Sequence, residues 1–187
     1  ELQDGPDRTI LSLDGSSSSR YDQYKTGSYV NTAMYMGTNS TSYYFSVANG
    51  NISRFFDEMY LNTPWDYHYS SLDGRTILDR LASVKYFAVK RNGYGYIPYG
   101  YDEEAASTKK YRIYEDEDSL PLGYTYDSWI SREKYEKLSV TEKQQALLQG
   151  AVVEKSSLPE TQLSFDDKKA DFTLEAGKGC KIKDGKI

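Results

Sequence analysis

Cysteine, histidine and long apolar runs are scarce in this sequence of 187 residues. Its single cysteine, Cys180, cannot form an internal disulfide, so cysteine usage leaves the redox compartment open. No run of about 18 apolar residues occurs, and the sequence therefore predicts no membrane-spanning segment in this chain. The first residues, ELQDGPDRT, include neither an initiator Met nor a signal-peptide pattern. We interpret this beginning as that of a fragment.

Positive charge is also in short supply. The chain has 23 Lys and Arg against 28 Asp and Glu, a net charge of −5. Proteins that bind nucleic acid normally carry a basic excess or stripe, so we expect no nucleic-acid partner. A Gly-x-Ser-x-Gly nucleophile motif is missing, and one His and one Cys far apart offer little for a metal. The sequence predicts no catalytic residue, no metal site and no cofactor in this chain.

Tyrosine is abundant, with 19 residues spread along the chain. A tyrosine ring has a large apolar body and a polar tip, which suits half-buried sheet faces and also surfaces that contact carbohydrate or protein. The spread of the tyrosines favours the first interpretation, in which Tyr replaces Phe throughout a strand-rich core.

Apolar periodicity predicts a mixed α/β (α+β) fold, a sheet of about five strands with helices packed on it. Strands are expected near 8–13, 84–90, 94–98, 110–115 and 121–126, and helices near 50–60, 74–82 and 139–149. A helix is also favoured over SYVNTAMYMG, with Gly37 ending it, and Ser131 is expected to cap a short helical segment. The predicted domain covers 1–154, and 155–187 form a polar tail or the start of a truncated β domain.

Four consecutive acids, Glu115 to Asp118, separate YRIY from SLPLGY. An EF-hand calcium loop needs alternating oxygen ligands and a central Gly, whereas these carboxylates are adjacent and repel one another. A solvated turn between two strands is therefore favoured over a weak divalent-cation site.

The candidate binding residues lie in two aromatic loops, PWDYHY and RNGYGYIPYG. Aromatic faces stack on sugar rings and carboxylates accept hydroxyl protons, so these loops are candidates for glycan stacking or hydrogen bonding. The residues are Trp65, Asp66, Tyr67, His68, Tyr94 and Tyr96. Packing within the turns is the simpler alternative. Two others stay open: a free carbohydrate-binding module that also uses Tyr69 and Tyr99, and a hydrolase that uses Asp66 and His68.

Two phrases in order resemble the soluble part of the YfhO family of bacterial membrane proteins. LDRLASVKYFAVK is similar to that family's Leu-Leu-Gly-Val-Lys-Tyr phrase and following β-run, with Ser83 where Gly is usual. About twenty residues later, YRIYEDEDSLPLGY matches a strand, an acidic turn and the phrase LPLGF, with Tyr124 in place of Phe. The resemblance covers about Asp7 to Val153.

The resemblance implies a glycosyltransferase of the C-type superfamily, whose membrane helices carry the active site and whose sugar donor is a polyprenyl-phosphate sugar. This chain would be part of the soluble portion outside the bacterial cell membrane. Its implied role is in glycosylating cell-envelope polymers such as lipoteichoic acid, by binding the acceptor or supporting the membrane part. The implied partners are the transmembrane portion of the same protein and an envelope glycan or teichoic acid. The catalytic carboxylate would lie outside this chain.

Overall fold

The computed structural model describes residues 9–10, 13, 19–23, 31–62, 67–92, 95–166, 177 and 179. Its largest sheet has five strands, which are β1 (Arg20–Gln23), β2 (Asn39–Ser40), β5 (Val84–Lys90), β6 (Glu103–Ser107) and β7 (Tyr111–Glu115). Two small sheets pair β3 (Tyr43–Tyr44) with β4 (His68–Tyr69) and β8 (Trp129–Ser131) with β9 (Ala151–Val153).

The helices are α1 (Thr32–Met36), α2 (Gly50–Glu58), α3 (Thr76–Leu81), α4 (Arg132–Glu136) and α5 (Val140–Ala146). Thr9, Ile10 and Leu13 are helical too. In the part of the chain that the structure describes, every helix is too short or too polar to cross a bilayer.

The five strands run in the order β2-β1-β5-β7-β6. Strand β1 pairs in parallel with β2 and β5, while β7 pairs antiparallel with β5 and β6. The predicted class, a mixed sheet of about five strands with helices on it, is therefore confirmed.

Local signals account for the helix ends. The Asn49 side chain accepts hydrogen bonds from the Asn51 and Ile52 amides and begins α2. Ser139 and Glu142 form a reciprocal capping box at the start of α5. Gly37, at φ 74°, ends α1 in the left-handed conformation that glycine adopts without a steric penalty. These ends agree with the predicted helices.

Both faces of the five-stranded sheet are buried. Tyr21, Tyr86, Ala88 and Ile113 belong to one buried cluster, which Ile10 and Ala33 cover. Alternate residues on the same strands point the other way, because side chains alternate along a strand. That second face carries the buried side chains of Phe87, Val89, Tyr101 and Tyr114. A third core lies between the helices and includes Phe56, Met59, Tyr69, Leu72, Leu78, Ile130 and Tyr135.

Three predicted strands are wrong. The described residues of 8–13 are helical, because a short apolar run does not distinguish a helix from a strand. Residues 95–98 and 121–126 lie outside strands. Pro98 and Pro121 cannot donate to a sheet ladder, which explains both failures. The sheet is completed instead by β1, β2 and β6, none of which was predicted as a strand. The acids of β6 are tolerated because β6 is an edge strand, with one side of its backbone unpaired.

The residues after β9 contact the third core. Leu163 and Phe165 pack against it, and the Thr161 amide donates to the Trp129 carbonyl at 2.8 Å. Most of 167–187 lies outside the described residues. The division at residue 154 stays a prediction.

Candidate ligand-binding site

The structure separates the predicted aromatic site residues that it describes. His68 lies in β4 and Tyr67 directly precedes it. Both rings meet Tyr44 of β3 edge-on, at 5.5 Å for Tyr67 and 6.4 Å for His68 between ring centroids. Tyr96 lies in another loop, where its hydroxyl donates to the Asp73 carbonyl at 2.7 Å. Trp65, Asp66 and Tyr94 lie outside the described residues. A glycan site formed by all six, and a hydrolase pair of Asp66 and His68, stay predictions.

The acidic turn is less solvated than predicted. Asp116 is only 1% exposed, and its carboxylate accepts two hydrogen bonds from the Arg80 guanidinium, at 2.7 and 3.0 Å. It also accepts the Asp118 amide at 3.0 Å. The Asp118 carboxylate is exposed and lies 2.9 Å from Arg80. The predicted solvated turn between two strands is wrong in two respects, although Glu117 and Asp118 are exposed in a turn. Asp116 is buried and bound to α3, and the segment after the turn is not a strand.

A second buried carboxylate, Asp22 on β1, is held by the last residue of β2 and the residue after it. It accepts hydrogen bonds from the Ser40 hydroxyl at 3.1 Å, the Thr41 amide at 3.2 Å and the Thr41 hydroxyl. Burial raises the pKa of Asp22 to about 6, although these three hydrogen bonds and the nearby Arg20 charge oppose the shift.

The third buried carboxylate, Asp79 on α3, is the most unusual. It is 0% exposed, and neither carboxylate oxygen has a hydrogen-bond partner among the described residues. Burial raises its pKa to about 9, and the charges of Asp22, Asp116 and Asp73 add to the shift. Asp79 is therefore neutral at pH 7. An ionised carboxylate here would be desolvated and close to other acids.

An acidic cleft of about 640 Å³ opens beside the Arg80–Asp116 pair. Its charged lining combines one cation, Arg80, with seven acids, which are Asp102, Glu103, Glu104, Glu115, Asp116, Glu117 and Asp118. Within the described ranges, no three Asp, Glu, His or Cys side chains are placed to hold a metal ion.

A second pocket, of about 560 Å³, is mainly apolar. We call it the aromatic pocket. Its apolar walls come from α2, from the α3 region and from two further leucines. These lining residues are Ile52, Phe55, Phe56, Leu72, Leu78, Leu81, Ala82 and Leu147. The remaining lining residues bring polar atoms, and they are Arg20, Ser40, Thr41, Tyr43, Tyr124 and Tyr126. Apolar walls with a few convergent polar groups are typical of small-molecule sites.

None of these pocket residues is among the predicted site residues. Tyr124 and Tyr126 lay within a segment predicted as a strand, and Arg20 lay outside every predicted helix and strand. The aromatic richness of LPLGYTY was the available signal. Arg20 and Tyr124 line the same pocket although they come from distant segments of the chain, which no local pattern reports.

Comparison with known proteins gives the family. The profile described as "Bacterial membrane protein YfhO" matches residues 15–183. The chain belongs to the YfhO family. One curated relative, the "Uncharacterized protein YfhO" of Bacillus subtilis (strain 168), is 28% identical over 130 residues. That alignment covers 68% of this chain but only 15% of the relative. No solved structure matches the chain.

The structure also explains one residue of the family phrase. Ser83, which stands where the YfhO phrase usually has Gly, has φ 60° and is 3% exposed. This left-handed conformation joins α3 directly to β5 and favours glycine. The usual Gly of the phrase is therefore explained by a tight helix-to-strand connection that needs a positive φ at this position.

Proposed function

We propose that this chain belongs to the soluble extracytoplasmic portion of a multi-pass, glycosyltransferase-like YfhO protein. In this proposal the parent protein glycosylates cell-envelope polymers such as lipoteichoic acid from a polyprenyl-phosphate sugar. The chain contributes by binding the acceptor or by supporting the membrane-embedded catalytic part. The observation that carries the proposal is the match of residues 15–183 to a family of bacterial membrane proteins.

The three buried carboxylates of the described residues are unsuited to catalysis, which supports a non-catalytic role for the chain. Asp116 is engaged by Arg80, Asp22 is engaged by Ser40 and Thr41, and Asp79 is buried and neutral. A general acid or nucleophile must reach its substrate. Asp116 and Asp22 hold parts of the fold together, and Asp79 is buried without a hydrogen-bond partner among the described residues. We therefore assign catalysis to the rest of the parent protein.

The side of the membrane on which this domain lies is tested with a cysteine introduced at an exposed position. Tyr99 is 86% exposed, so Tyr99→Cys in the full-length parent places a reactive thiol on the surface of the domain. Cys180 is replaced by Ser in both this variant and the control parent, which lacks only the Tyr99 substitution. A membrane-impermeant maleimide should label the Tyr99→Cys variant in intact cells and leave the control unlabelled at this domain. Labelling only after lysis would place the domain on the cytoplasmic side and refute this part of the proposal.

Activity is tested by deleting the parental gene. We expect the sugar-to-phosphate ratio of the lipoteichoic acid to fall, and expression of the full-length parent to restore it. An unchanged ratio in the deletion strain would refute the proposed reaction.

A second candidate is a stand-alone carbohydrate-binding or cell-surface interaction module. It is favoured by the exposed rings of Tyr96 and Tyr99, at 50% and 86% exposure, since exposed aromatic rings often mark contact surfaces. This alternative predicts that the chain acts without attachment to membrane helices. Restoration of a deletion phenotype by the secreted chain alone would support it.

A further inference from the structure

We propose that the aromatic pocket binds a neutral sugar residue, with Arg20, Ser40 and Thr41 facing its hydroxyls and tyrosine rings facing its carbon skeleton. This inference rests on the proposed function, because it assigns acceptor binding to one site in the chain. It places that site away from the two loops that the sequence singled out. The pocket volume, about 560 Å³, lies within the range of about 300–1,000 Å³ usual for ligand pockets.

The polar end of the pocket offers acceptors and a donor side by side. The Ser40 and Thr41 hydroxyls donate their protons to Asp22, and the Ser40 oxygen also accepts a hydrogen bond from the Ser42 amide at 3.0 Å. Each hydroxyl oxygen therefore still has a lone pair for a ligand. The Arg20 guanidinium has five N–H donors, and its described hydrogen bond uses Nη1, which donates to the Ala82 carbonyl at 2.6 Å. A group that donates one hydrogen bond and accepts another fits this arrangement. Adjacent sugar hydroxyls do both.

The same hydrogen bonds disfavour an anionic ligand. An anion needs donors, but the two hydroxyl protons point toward Asp22. The Asp22 carboxylate lies directly behind these hydroxyls and repels negative charge when it is ionised. These features select a neutral polyhydroxylated ligand over a phosphate or carboxylate.

Tyr124 and Tyr126 hold their rings in fixed positions at the rim. The Tyr124 hydroxyl contacts the Leu81 carbonyl at 3.2 Å, and the Tyr126 hydroxyl donates to the Leu147 carbonyl at 2.6 Å. The two rings meet edge-on, with centroids 5.6 Å apart. Because each hydroxyl is tied to the end of a different helix, little ordering is needed when a ligand arrives. The negative ring face attracts the slightly positive C–H groups of a pyranose.

The test is an NMR titration of the chain of 187 residues, observing tyrosine ring signals. The probes are the methyl glycosides of glucose, galactose and N-acetylglucosamine, with decanoate as an anionic, apolar comparison. We expect at least one glycoside to shift the rings of Tyr43, Tyr124 and Tyr126. No shift with any glycoside, shifts confined to Tyr96 and Tyr99, or binding of decanoate alone would overturn the assignment.

Matched variants locate the interaction. Tyr124→Ala removes a ring at the rim and should weaken glycoside binding about tenfold. A loss of this size is expected when one aromatic ring and the surface that it buries are removed from a contact. Tyr124→Phe keeps the ring and should bind within about twofold of the parent. Tyr35→Ala, at a position that is 85% exposed and outside the aromatic pocket, is the control and should bind normally. Equal affinity of Tyr124→Ala and Tyr35→Ala would overturn the assignment.

A second pocket variant keeps the proposal testable if Tyr124→Ala fails to fold. Leu147→Trp places a large ring inside the aromatic pocket and should abolish the glycoside shifts. The ring signals of Tyr86, which belongs to a different core cluster, should stay in place. Unchanged binding by this variant would overturn the proposal. Failure of sugar binding would leave the proposed function standing if deletion of the parental gene still lowers the polymer's sugar content.

Discussion

Replacing Asp79 by Asn should stabilise this protein at neutral pH and remove much of its pH dependence. Asp79 is fully buried, and neither of its carboxylate oxygens has a hydrogen-bond partner among the described residues. Asn has nearly the same shape but carries no charge at any pH. The substitution therefore separates the effect of ionisation from that of packing.

The sign follows from the direction of the pKa shift. The pKa of Asp79 rises from 3.8 to about 9 on folding, so the folded state holds a proton that the unfolded state releases above pH 3.8. The contribution of the neutral carboxyl to stability is complete below pH 3.8 and is lost progressively as the pH rises toward 9.

Between the ordinary pKa and pH 7 lie about three pH units, and each unit lowers the free energy of unfolding by about 1.4 kcal/mol. At pH 7 the buried Asp79 therefore reduces the free energy of unfolding by about 4 kcal/mol. This is an upper limit, because side chains and water reorganise around an ionised group. Asp22, with its pKa raised to about 6, adds a similar loss confined to the range from pH 3.8 to about 6.

The assay is urea unfolding, followed by tryptophan fluorescence, at pH 5, 6, 7 and 8. The free energy of unfolding of the parent should fall by about 1.4 kcal/mol per pH unit above pH 6, where Asp22 no longer contributes. Asp79→Asn should lack that slope and exceed the parent by up to about 4 kcal/mol at pH 7. Asp102→Asn, at an exposed position, removes the same charge and is the control. Identical slopes for the parent and Asp79→Asn would refute the reasoning.

Three other substitutions test packing and backbone geometry by the same unfolding assay. Ser83→Gly should stabilise the chain by about 1 kcal/mol, since it relieves a positive φ of 60°; destabilisation would contradict this. Asp116→Ala should cost about 3 kcal/mol, because it breaks a nearly buried ion pair with Arg80, and a loss under about 0.5 kcal/mol would mean that solvent screens the pair. Ile113→Ala, at a position with 0% exposure in the sheet core, should cost about 3 kcal/mol; a loss like that of a surface substitution would place Ile113 outside the core.

The sequence alone determined the elements whose signals are local. Asn49 and Ser139 begin helices because their side chains accept hydrogen bonds from amides two or three residues ahead. Strand β5 was predictable because VKYFAVK is a dense run of strand-forming residues, buried on both faces in the structure. The family resemblance also came from short contiguous phrases, and the profile match confirms it.

Strand order and the burial of charge were decided only by the tertiary structure. Strand β1 has the sequence RYDQ, which is typical of a loop, but parallel pairing with β5 on one side and β2 on the other makes it an interior strand. A carboxylate is expected in water when its neighbours are unknown. Asp22 and Asp116 are buried because residues 18 and 36 positions away supply their hydrogen bonds.

The aromatic pocket shows the same division. Its tyrosines were visible in the sequence as an unusual abundance, and their chemistry suited either a core or a ligand surface. Which tyrosines form a pocket depends on bringing together residues from Arg20 to Leu147. Local patterns fix the direction of a side chain within its own helix or strand. Only long-range packing fixes which side chains from different segments face the same cavity.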